Sequence, residues 1–233
     1  LYNTYGSQNS AVGVGALFNN TTGDNNTAVG YNTLLGNTTG TQNTAVGKWT
    51  LYSNTYGLNN FAAGNTAAYK NVSACNNVDI GYGASYNNIS GCNNVALGYQ
   101  ALYLNTASNN FAVGYNALRG AAGPGGTSNT SSNNFAQGYY ALTGATSGSN
   151  NFASGLKALY GNTIGSNNFA QGYCELYALD LPKTASGKYS LTEKTISALP
   201  DCHPKQVLLK QAYMTDQEIL DVQRLLARKD HGD

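Results

Sequence analysis

The chain has 233 residues, 41% hydrophobic and only 10% charged, with a formal net charge of +1. That is enough for one long domain or two small ones, and so sparse a charge excludes binding to a phosphate backbone, which needs many clustered Lys and Arg side chains. Glycine at 28 residues and asparagine at roughly one residue in seven stand well above ordinary usage, about 7% for glycine, and point to a repeat.

The chain starts inside a pattern, Leu1-Tyr2-Asn3-Thr4-Tyr5-Gly6, as a processed or partial product would. No run of about 18 apolar residues is present, nor a basic-then-apolar leader, so neither membrane insertion nor a secretion signal is expected. An Asn-x-Ala-x-Gly element recurs with its glycine at Gly13, Gly30, Gly47, Gly64, Gly81, Gly98, Gly114, Gly138, Gly155 and Gly172. The spacing is 17 residues in seven of nine intervals; one is a residue short, and Gly114 to Gly138 carries seven extra residues, with Gly123-Pro124-Gly125-Gly126 reading as a loop.

Each column of the repeat asks for one chemistry. Four before the glycine stand Asn9, Asn26, Asn43, Asn60, Asn77, Asn94, Asn110, Asn134, Asn151 and Asn168; two before it stands alanine, except Asp79. Four after it runs a leucine column, Leu17 to Leu176, broken by Ala68 and Ser85. A second asparagine column follows (Asn20, Asn37, Asn54, Asn71, Asn88, Asn105, Asn162), then a β-branched one from Thr21 to Thr163 that includes Val72 and Ile89.

Such units are too short for a helix pair, and Gly, Asn and Thr disfavour helix; two short strands and two turns fit. The expected class is therefore all-β, a parallel β-solenoid or β-roll of about ten 17-residue coils. At about 4.8 Å per coil the rod would be roughly 48 Å long. Stacking puts like over like, so inward asparagine amides can hydrogen-bond rung to rung. On the opposite parity, Thr27, Thr44, Phe61, Val78, Val95 and Phe111, with Val29, Val46, Ile80, Leu97 and Val113, would face outward. That stripe is larger than a monomer tolerates, and a three-fold bundle of copies would bury it. Ala63, Gln137, Ser154 and Gln171 make it more polar toward the C-terminal end.

The segments Asn26-Thr27-Ala28-Val29-Gly30, Asn43-Thr44-Ala45-Val46-Gly47 and Asn94-Val95-Ala96-Leu97-Gly98 resemble the head repeat of trimeric autotransporter adhesins, the YadA-like family, which also occurs in phage and viral fibres. The resemblance spans Gln8 to Leu176 and implies a β-roll in each of three chains, displayed outside a cell or virion. The unit here is longer than that family's usual one, and no C-terminal membrane β-barrel follows, which favours a fibre or appendage subunit.

Composition then changes. Before Glu175 only Asp24, Lys48, Lys70, Asp79, Arg119 and Lys157 carry charge; after Asn168 asparagine vanishes. The division reads as a repeat domain, 1–177, and a mostly helical C-terminal segment, 178–233. Pro204 opens one helix, and Thr215-Asp216-Gln217-Glu218 is a capping box before Ile219, Leu220, Val222, Leu225 and Leu226. This segment reads as a cap on the last coil or as a docking element.

No catalytic set is expected. His203 and His231 are the only histidines, Cys202-His203 lacks a second pair at zinc spacing, and no cofactor is implied. Cys75 and Cys92 occupy the same column in adjacent coils, within disulfide reach, which favours an oxidising location. Leu181-Pro182-Lys183-Thr184-Ala185 matches a sorting pentapeptide without its downstream apolar span. Glycan-acceptor triplets at Asn20, Asn37, Asn71, Asn88 and Asn129 are read as products of an Asn/Thr-rich repeat. Tyr52, Tyr69, Tyr86, Tyr103 and Tyr160 recur five after the glycine, as edge packing or as a contact column for a surface glycan or protein receptor. The expectation is a non-enzymatic, extracellular fibre subunit, probed against two alternatives: an end-to-end filament, and an ice-binding solenoid presenting the Thr21 to Thr163 column.

Overall fold

Every repeat folds its Asn-x-Ala-x-Gly element into one three-residue strand: β1 Ser10–Val12, β2 Thr27–Val29, β3 Thr44–Val46, β4 Phe61–Ala63, β5 Val78–Ile80, β6 Val95–Leu97, β7 Phe111–Val113, β8 Phe135–Gln137, β9 Phe152–Ser154 and β10 Phe169–Gln171. The computed structural model describes residues 5–121 and 129–176. The Gly123-Pro124 loop, Tyr177 and the charged segment with its expected helices and capping box lie outside these residues. The strands stack in chain order into a single ten-stranded sheet. All neighbours are parallel and pair like with like, Thr27 beside Thr44, Ala28 beside Ala45 and Val29 beside Val46. The described residues form an all-β parallel solenoid.

One expectation fails: a coil has one strand, not two. At Thr38, Thr39 and Gly40 three successive N–H groups converge on the single carbonyl of Thr55, at 3.2, 3.1 and 3.1 Å. A β ladder needs alternate N–H groups to point apart, so this corner cannot be a strand. Outside the ten strands the described residues form only isolated bridges, Leu58 with Cys75 and Asn105 with Asn129. Rung-to-rung bonding nevertheless runs round the coil, as in Leu51 N–H to Ala67 C=O at 3.0 Å and Trp49 N–H to Tyr31 C=O at 2.9 Å.

Corners are made by left-handed residues. In the third coil Gln42 (φ 58°), Trp49 (57°) and Leu51 (49°) all take positive φ. The conformation costs a leucine about 1–2 kcal/mol, and full burial of its side chain returns about 1.5–3 kcal/mol, so the column survives because Leu17, Leu34, Leu51, Leu102, Leu118, Leu142 and Leu159 are buried almost completely. Before eight of the ten ladder asparagines the same need selects Asn25, Asn59, Asn76, Asn93, Asn109, Asn133, Asn150 and Asn167, all at positive φ, a region asparagine tolerates better than most residues; Gln8 and Gln42 hold the other two places. The Asn-Asn doublets thus combine two unrelated demands.

The interior is thin. Alanines such as Ala28, Ala45 and Ala62 pack beside the leucines with no exposed surface. At Gly47 (φ +130°) an added Cβ would lie 2.7 Å from the Gly64 carbonyl oxygen, so only glycine fits the close rung contact there.

Against this wall runs the asparagine ladder. Asn43 Oδ1 accepts from the Asn60 N–H at 3.1 Å and from Asn60 Nδ2 at 3.0 Å. Its own Nδ2 donates down to Asn26 Oδ1 at 3.1 Å and across the coil to the Gly57 carbonyl at 2.8 Å. Both donor hydrogens and both acceptor sites of the amide are used. The column from Asn26 to Asn151 is buried, while Asn9 and Asn168, on the end rungs, are half-buried. In the second column Asn37 donates to Asn20 and Asn54 to Asn37, each at 2.7 Å. After the insertion Asn129, buried and bridged to Asn105, resumes that column at a place the sequence spacing does not reveal.

Asn43→Ala strands the groups bonded to this amide, at about 1–3 kcal/mol for each buried group left unsatisfied. It is expected to lower the urea midpoint far more than Thr22→Ala on the exposed surface, which should stay within about 0.5 kcal/mol of wild type. Asn43→Asp should be comparably damaging, because a carboxylate has no hydrogens for Asn26 Oδ1 and the Gly57 carbonyl.

Candidate functional site

Side chains that alternate outward from the strands, and the one after each glycine, form three columns on a flat face. The first carries Phe61, Phe111 and Phe169, the second Val12, Val29, Val46 and Ile80, the third Tyr31, Tyr82, Tyr99, Tyr115, Tyr139 and Tyr173, all exposed. In-register stacking makes aromatic stripes. Phe111, Phe135, Phe152 and Phe169 stack with centroids 4.7–4.8 Å apart, and Tyr82, Tyr99, Tyr115 and Tyr139 with centroids at 5.2, 4.9 and 5.1 Å. Desolvation first, then the neighbouring phenols, raises the Tyr115 and Tyr139 hydroxyls above the usual tyrosine range. Beside the phenylalanines a shallow groove of about 470 Å³ is edged by Asn109, Asn133 and Asn150. The third column was missed from sequence, although its signal, a tyrosine after the repeat glycine in Gly30-Tyr31, Gly81-Tyr82 and Gly98-Tyr99, was present.

The tyrosines five after the glycine are only partly brought together. Tyr52, Tyr69, Tyr86 and Tyr103 stack at 5.0 Å per step. Tyr160 stands apart, because Arg119 and Thr143 hold the intervening positions, and meets Tyr140 edge-on at 6.0 Å. Within the stack the facing sides of neighbouring rings are covered, so along its length a partner would meet edges and hydroxyls. Lys70 Nζ lies 5.6 Å from the Tyr86 ring centre, and the Arg119 guanidinium 5.3 Å from that of Tyr103.

The threonine column is engaged internally. The hydroxyls of Thr21, Thr38 and Thr146 donate to the backbone carbonyls of Thr38, Thr55 and Thr163 in the next coil, at 2.9, 3.1 and 3.0 Å. That leaves no regular row of outward donors for an ice lattice. The glycan-acceptor asparagines Asn20, Asn37, Asn71, Asn88 and Asn129 are all buried. Among the described residues no three His, Cys, Asp or Glu side chains gather as a metal site; Cys202, His203 and His231 lie outside them.

The fifth coil departs most from the repeat. Ala74 stands where the earlier coils have Gly23, Gly40 and Gly57, ten residues after the repeat glycine, and Asp79 replaces the core alanine and Ser85 the core leucine. Asn71 here accepts from the Ala74 N–H at 2.9 Å, and the second ladder is interrupted, leaving Asn54 Oδ1 and Asn71 Nδ2 unpartnered. Asp79 is fully buried; the Ser85 hydroxyl donates to its Oδ1, and its Oδ2 has no partner. The two substitutions explain one another, since removing the leucine makes room for the carboxyl and supplies a donor. Burial raises the Asp79 pKa from 3.8 to about 7, against the lowering effect of Ser85. The disulfide sits in this same coil, joining Cys75 to Cys92 with their Cα atoms 4.6 Å apart. A covalent staple thus ties the coil that holds these departures to the one that follows it.

Asp79 has a folded pKa above its unfolded value, so its contribution is full below pH 3.8 and is lost as pH rises toward about 7. Subtracting the stability–pH curve of Asp79→Ala/Ser85→Leu from that of wild type should isolate this decline, and the double variant should be the more stable of the two above neutral pH. Replacing both Cys75 and Cys92 by serine should cost about 3 kcal/mol, the loop-entropy value for a ring of about 15 residues, read as a lowered urea midpoint.

Comparison of the chain with protein-family models, with curated proteins and with solved structures gives no match. Its likeness to the autotransporter head repeat therefore rests on the motif residues alone.

Proposed function

We propose that this chain is a non-enzymatic fibre subunit, displayed outside a virion or cell as a stiff spacer and contact surface, and that three copies pack through the flat sheet face. One observation carries the reading: Val12, Val29, Val46, Phe61, Ile80 and Phe111 remain exposed along a single face of the rod. Contiguous apolar patches beyond a few hundred Å² are rare on soluble monomers, and a closed three-fold arrangement of identical rods removes such a stripe from water. Packing would be tightest up to Val113 and looser where Gln137, Ser154 and Gln171 enter the second column. The Cys75–Cys92 disulfide suits an oxidising, extracellular location. The resemblance to trimeric adhesin heads agrees with this geometry, and a glycan or protein receptor would be met by side chains left on the other faces.

A filament of rods stacked end to end is the second reading. It is favoured by the sheet order, in which, among the described residues, β1 and β10 each have one neighbour, leaving strand edges suited to pairing. The ice-binding alternative loses support from the threonine hydroxyls that bond to the next coil.

Sedimentation equilibrium tests both. Three copies per particle are expected, and Val29→Glu/Val46→Glu, placing carboxylates in the seam, should release monomers. A monomeric wild type would overturn the trimer; long threads in electron micrographs would replace it with the filament.

A further inference from the structure

We propose that the column Tyr52, Tyr69, Tyr86 and Tyr103 is a site of oxidative modification, at which neighbouring phenols are joined within one chain as dityrosine. The four rings are held at a repeated centroid spacing of 5.0 Å, with interplanar angles of 7°, 6° and 18°. Their backbones are fixed by rung-to-rung hydrogen bonds, such as Ser53 N–H to Tyr69 C=O at 3.1 Å and Asn87 N–H to Tyr103 C=O at 3.0 Å. The side chains are half-buried, so each keeps an accessible edge. Two reactants held in this way meet at a far higher effective concentration than in solution. Bringing one ortho carbon onto the next needs a tilt of half-buried rings and no main-chain movement.

The co-reactant is a peroxide acting through a haem peroxidase. Each of two adjacent phenols gives up its hydroxyl hydrogen atom, and the two phenoxyl radicals couple through their Cε carbons. The hydrogens displaced from those carbons move to the oxygens, restoring two phenols. The two hydrogen atoms lost reduce one hydrogen peroxide to two waters. Among the described residues no free thiol stands by to quench the radicals. The column lies in the turn after the strand, off the flat face, so the proposal does not depend on how copies assemble. Its consequence would be a second covalent staple along the rod axis, at a different corner from the disulfide.

The test oxidises the purified, folded chain with hydrogen peroxide and a haem peroxidase, digests it, and maps linked peptides by mass spectrometry. Expected are intrachain pairs Tyr52–Tyr69, Tyr69–Tyr86 and Tyr86–Tyr103, each lighter by two hydrogens and carrying dityrosine fluorescence. Tyr69→Phe/Tyr86→Phe keeps the stacked rings but should lose all three pairs, and Tyr86→Phe alone should keep only Tyr52–Tyr69. Oxidation of the chain unfolded in guanidinium should abolish the preference for neighbours. The proposal is overturned if these tyrosines are oxidised without forming the pairs, if the links join separate chains, or if the unfolded chain gives the same pattern.

Discussion

The buried asparagine amide is the constraint on which the rest of the structure depends. An amide removed from water must find partners for two hydrogens and two lone-pair sites, and here it finds them on an identical amide one rung away and on the opposite wall of its own coil. What this demands is vertical alignment and not a set coil length. Where one interval is shorter, Asn110 N–H still reaches Asn94 Oδ1 at 3.0 Å, and across the insertion Asn134 N–H reaches Asn110 Oδ1 at the same distance. The strand register holds across the same interval, with Phe111 still beside Phe135.

Alignment also explains a core that would be inadequate in an ordinary domain. Alanine and leucine fill a section too narrow for aromatic residues, and the leucines sit in a backbone conformation that most side chains avoid. Strain of that kind is sustained because every rung repeats it beside a neighbour with the same need. The fifth coil shows the tolerance of the scheme: Asp79, Ser85 and Ala74 break three columns together, two of them compensate one another directly, and a disulfide ties this coil to the next.

Outward columns are under no such restraint, and there the repeat varies. Register turns each choice into a stripe, so a tyrosine recurring at one position becomes a stack of rings and a valine or phenylalanine becomes an apolar seam. The fold therefore supplies regularity, and function belongs to what is written on its faces. A tyrosine stack that covers its own ring faces offers edges, hydroxyls and neighbouring radicals' reach in place of a platform for flat ligands.

Much was legible in the sequence. The 17-residue phase located every strand, the inward parity of Asn, Ala and Gly, and the pairing of Cys75 with Cys92, because vertical stacking converts sequence period into contact. The second strand was misread, since period and composition do not show that three N–H groups at 38–40 share one carbonyl. Nor could spacing place Asn129 in its column across an insertion, or join the Asp79 and Ser85 exceptions into one buried pair. The sequence by itself determined which residues lie above one another, a one-dimensional property of the repeat. Only the tertiary structure decided which columns meet across the coil and which stay exposed, because those relations depend on where the left-handed corners turn the chain.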